Sequence, residues 1–148
     1  MFFEPFELGY SLICGIFDRI ATEADLRDYK MDPKTLEFFK MFGNDVRRRL
    51  GRDKSAPIYQ EIDDKWLFSR DYFNEAAEMA GFSSVVIESI HAPQGQLRML
   101  CESFLRLGAS TTVTALPEWA RIYIEKADDL FVESAPDVLS EGIIVFKK

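Results

Sequence analysis

Residues 69–90 read SRDYFNEAAEMAGFSSVVIESI. Ser69 is a good N-cap, because its hydroxyl can accept a hydrogen bond from the first helical turn. Asp71 then falls where a carboxylate favours the helix dipole. Over Arg70–Ala80 the residues Phe73, Ala76, Ala77 and Ala80 recur at three-to-four spacing and predict one buried helix face. Gly81 ends that helix. Ser84–Ile90 follows as a strand, carrying the β-branched Val85, Val86, Ile87 and Ile90. Its first residues are apolar on both parities, as in an interior strand. A helix, a glycine and a strand in immediate succession are the connection of an α/β fold.

The chain upstream reads in the same terms. Met1 to Phe3 is a short apolar run closed by Glu4-Pro5, the end of a strand entering a loop. Leu8–Ile20 predicts a helix with Leu12, Ile13, Ile16, Phe17 and Ile20 on one stripe, and Gly15 marks a close packing contact. Asp25–Lys30 is a charged connection. Asp32-Pro33 then starts a helix, with Asp32 as N-cap, carrying Leu36, Phe39, Met41, Phe42, Val46 and Leu50 as far as a Gly51 cap. Asp53–Pro57 and most of Ile58–Phe68 read as loop.

Downstream, Leu97–Leu107 is a helix with Leu97, Leu100, Cys101, Phe104 and Leu105 inward, closed by Gly108. Pro117 opens another, with Trp119, Ile122, Tyr123, Leu130 and Phe131 on its apolar face. Ile143–Phe146 is the last strand. Three strands separated by helices give an α/β chain of about five helices and a short mixed sheet, a single or partial domain over residues 1–148.

Composition narrows the function. With 18 basic and 25 acidic side chains the 148-residue chain carries −7, so it lacks the basic footprint of a nucleic-acid binder. One histidine, His91, rules out sites that need two imidazoles, and no metal site is expected. No run reaches the ~20 apolar residues of a membrane span, and the start lacks the basic region of a secretory signal. A cytoplasmic protein with Cys14 and Cys101 as free, buried thiols is expected.

The segment from Trp66 to Ile87, with its helix ending Ala80-Gly81-Phe82 before a strand, resembles the late part of class I S-adenosylmethionine-dependent methyltransferases. The opening Phe2-Phe3-Glu4-Pro5-Phe6 resembles the end of that family's fifth strand and the loop after it. Gly142 to Phe146 resembles the seventh, returning antiparallel. The resemblance implies the C-terminal part of a Rossmann-like domain, strands five to seven. It implies methyl transfer to a small-molecule acceptor. No glycine-rich turn of the kind that binds the cofactor occurs, so S-adenosylmethionine is not expected to bind this chain alone. The cofactor half would come from a partner chain, or the chain would form a homo-oligomer through the edge of its first strand. The alternative is a non-catalytic protein-interaction module on the same fold.

Several residues invite a functional reading beside a structural one. Glu4, Glu7 and Tyr10 follow the first strand, where the resemblance implies an acceptor pocket; Glu4 and Glu7 also suit a helix start. Trp66, with Tyr59, Asp63, Asp64 and Phe68, would form a lid over the acceptor, or would anchor a loop on the core. No catalytic residue is assigned: His91 is a general base only if it reaches a proton, and it follows the sixth strand of the resemblance. Arg47, Arg48, Arg49, Arg52 and Lys54 form a basic run that reads as a solvated helix end.

Overall fold

The computed structural model describes residues 2–27, 29–49, 67–89, 94–134 and 141–148. In chain order they form β1 (Phe2–Pro5), α1 (Glu7–Arg27), α2 (Pro33–Arg49), α3 (Arg70–Met79), β2 (Ser84–Ser89), α4 (Gln96–Ala109), a 3₁₀ turn (Val113–Ala115), α5 (Glu118–Ser134) and β3 (Glu141–Lys147). The fold is mixed α/β and mostly helical, with five helices and one small sheet among the described residues.

The sheet order is β1-β3-β2. β3 is antiparallel to both neighbours, pairing Phe2 with Ile144 on one side and Ile87 with Ile144 on the other. The expected mixed sheet is thus antiparallel in both ladders, although β1 and β2 run in the same direction. β2 also lies at an edge among the described strands, not in the interior. Its apolar run reflects its packing against α3 on one face: Val85 and Ile87 join a small cluster of Phe6, Phe73 and Ile144.

The larger core is helical. Ile13, Phe17, Ile20, Phe39, Phe42, Leu97, Leu100, Cys101, Leu105, Ile124 and Phe131 pack into it from α1, α2, α4 and α5. Phe17 is its centre, fully buried and stacked at 4.5 Å on Phe39, with the rings of Phe38 and Phe42 edge-on. Burying one such side chain contributes about 1.5–3 kcal/mol.

Several local expectations hold. Ser69 accepts a hydrogen bond from the Tyr72 N–H at 3.1 Å. Asp32 caps α2, accepting from the Thr35 N–H and hydroxyl at 2.9 Å each, and these bonds hold its carboxyl below the usual range. Gly81 leaves α3 at φ +73°, a conformation that glycine adopts without steric cost. Both cysteines are free and buried.

Others are corrected. α1 runs through Asp25 and Arg27, where a connection was expected. Two exposed arginines, Arg19 and Arg27, lie one turn either side of the buried Glu23 and clasp its carboxylate. A buried charge needs such partners. The buried stripe of α1 is Ile13, Phe17, Ile20 and Ala21, which leaves Leu12 partly exposed; Gly15 meets nothing within 4 Å. In α2 Met41 points outward. Ala80, the C-cap of α3, is exposed, and in α5 Ile122 and Leu130 are exposed while Ala120 and Ile124 are buried. Gly108 does not end α4. The helix continues to Ala109, and Ser110 closes it in the left-handed region at φ 55°. Gly108 is needed for packing, because a Cβ there would run into the Phe38 ring. Gly51 and Leu50 lie outside the described residues.

Candidate functional site

Pro5 has no N–H, so it cannot take a fully hydrogen-bonded position opposite Glu141. Hydrogen bonding in an antiparallel ladder alternates along the strand. Phe2 and Glu4 therefore bond toward β3, and the odd-numbered residues turn their backbone to the other edge. There the Glu7 N–H donates to the Phe68 carbonyl at 2.9 Å, and Phe68 forms a parallel bridge with Phe6. The outer edge of β1 is thus met at its carboxyl end by the chain leading into α3, where an open edge was expected.

This junction brings the first turns of α1 and α3 to the end of β1. Between them lies an open groove of about 580 Å³ lined by Glu7, Leu67, Phe68, Ser69, Asp71, Tyr72 and Glu75, of which Asp71, Tyr72 and Glu75 are exposed. Leu67 is fully buried, and the Phe68 ring lies 5.1 Å from both Tyr72 and Phe73. The described lining has an apolar and aromatic side and three carboxylates, a composition that suits a small organic ligand with hydrogen-bond donors.

The expected site residues fall unequally. Glu7 lines the groove. Tyr10 lies one turn further along α1 and packs edge-on against Phe104 at 5.4 Å, within the helical layer. Glu4 is placed in β1 opposite Gly142, and its side chain is outside the described set. Trp66, Tyr59, Asp63, Asp64, His91, Arg52 and Lys54 lie outside the described residues, as do the side chains of Arg48 and Arg49. Arg47 ties α2 to α1 through Asp18 at 2.7 Å, which raises its pKa, and it also reaches Asn44 at 3.2 Å.

Sequence reading took Asp71 only as a helix-start charge and did not single out Tyr72 or Glu75. The spacing of Asp71 and Glu75, four apart on one helix face, was a usable signal. That this face looks toward Glu7 depends on the Glu7–Phe68 junction, 61 residues apart in sequence, which no local pattern reveals.

Neither cysteine fits a nucleophile. Burial pushes the Cys101 thiol up to about 12. Burial, reinforced by Asp18, also raises Cys14, although the Arg47 guanidinium stands 3.6 Å from its sulfur. Among the described residues no cluster of three His, Cys, Asp or Glu could hold a metal ion, and no helix is long and apolar enough to cross a membrane.

No protein-family model matches the chain, and no curated protein or solved structure matches it with significance.

Proposed function

We propose that the chain is the acceptor-side part of a class I S-adenosylmethionine-dependent methyltransferase, built on strands five to seven of a Rossmann-like sheet. In this reading the groove at the end of β1 receives a small-molecule acceptor. The observation that carries the reading is the relation of that groove to the strands. β1 and β2 share a direction, β3 returns antiparallel between them, and the groove lies at the carboxyl end of β1. Ligands of open α/β sheets sit at carboxyl ends, and an antiparallel last strand is what the resemblance implies.

The lining residues have distinct roles in this proposal. Glu7, Asp71 and Glu75 accept hydrogen bonds from hydroxyl or amine groups of the acceptor. Phe68 and Tyr72 form the wall against which its body rests. Transfer of a sulfonium methyl is an in-line displacement that depends on holding the acceptor atom in line and keeping water out. An acceptor-side wall serves it without an acid–base pair.

In this reading S-adenosylmethionine is held by a partner chain, because the glycine-rich turn that the resemblance requires for it does not occur in this sequence. At the N-terminus of α4, which follows β2, Asp128 takes the N–H groups of Gly95, Leu97 and Arg98 at 2.7–3.3 Å. No step through S-adenosylmethionine is assigned to this chain.

The test is to isolate the protein with its native partners and follow labelled methyl from S-adenosylmethionine into small molecules. Transfer is expected from the assembly and not from the isolated chain. Within an active assembly Glu7→Gln should raise the KM for the acceptor. An assembly without transfer would reject the reading in favour of a non-catalytic interaction module.

A further inference from the structure

We draw no further inference here: the strongest candidate, the surface patch of Tyr29, Trp119 and Tyr123 with Arg19 lying over the Tyr123 ring at 5.8 Å, is an unpartnered face among the described residues, and nothing in the structure shows what covers it.

Discussion

The carboxylate of Asp128, in the middle of α5, accepts a 2.9 Å hydrogen bond from the backbone N–H of Leu97 in the first turn of α4. It also accepts from Gly95 at 2.7 Å and Arg98 at 3.3 Å. The first N–H groups of a helix have no partner within it. Gly95 has no side chain to cap with, so the cap comes from a residue more than thirty positions away. The same bonds fix α5 against α4.

Asp128→Ala is therefore expected to destabilise the protein by about 1–2 kcal/mol, the upper part of the range for losing a capping side chain. Asp128→Asn keeps an acceptor oxygen and should lose less. Urea unfolding of the two variants checks the order. Equal midpoints for Ala and wild type would show that the cap contributes nothing.

Gly108 and Gly15 should respond oppositely to alanine. In an exposed helix interior Gly→Ala stabilises by about 0.8–1 kcal/mol, and Gly15, with open space around it, should show that gain. At Gly108 the added methyl meets the Phe38 ring, which also packs on Phe17, Phe39 and Phe42. Overpacking of that kind costs about 1–3 kcal/mol and should outweigh the helix gain. Thermal midpoints that move the same way for both variants would contradict this.

Phe17→Ala should cost about 3–5 kcal/mol, because the ring is fully buried and its loss leaves a cavity among three other phenylalanines. Leu12→Ala, five residues earlier on the same helix, should stay within about 0.5 kcal/mol, as exposed substitutions do. Chemical denaturation of the pair tests which stripe of α1 faces the core.

Glu102 accepts from the Val113 N–H at 2.6 Å and from Arg106 Nε at 2.8 Å, and the first of these does most to hold its carboxyl below its ordinary value of 4.5. A carboxyl whose folded pKa is depressed binds protons more weakly in the native state. Its contribution is thus complete above the unfolded pKa and fades as pH falls through the folded one. The difference in unfolding free energy between wild type and Glu102→Gln is expected to be constant from pH 7 to about pH 6 and to shrink as pH falls through the ordinary carboxylate range. A difference that grows on acidification would reverse the assignment.

The sequence by itself determined the parts that rest on short-range chemistry. Ser69 and Asp32 are caps because a side-chain oxygen reaches an N–H three residues on. Gly81 ends α3 because the chain there needs a positive φ. The α/β class and the approximate places of five helices and three strands followed from spacing alone. Spacing was less reliable for faces. Leu12 and Ile13 are adjacent and equally apolar, and only packing against the other helices decides that Ile13 is the buried one. Gly108 carries a terminator signal, yet its use is to admit Phe38 from another helix. β2 reads as interior and is an edge because β3, more than fifty residues later, inserts beside it and leaves its other side without a described strand. The candidate site divides in the same way. Glu7 was legible as the residue after the first strand, whereas its meeting with Asp71, Tyr72 and Glu75 follows from a backbone bond to Phe68 that only tertiary folding makes.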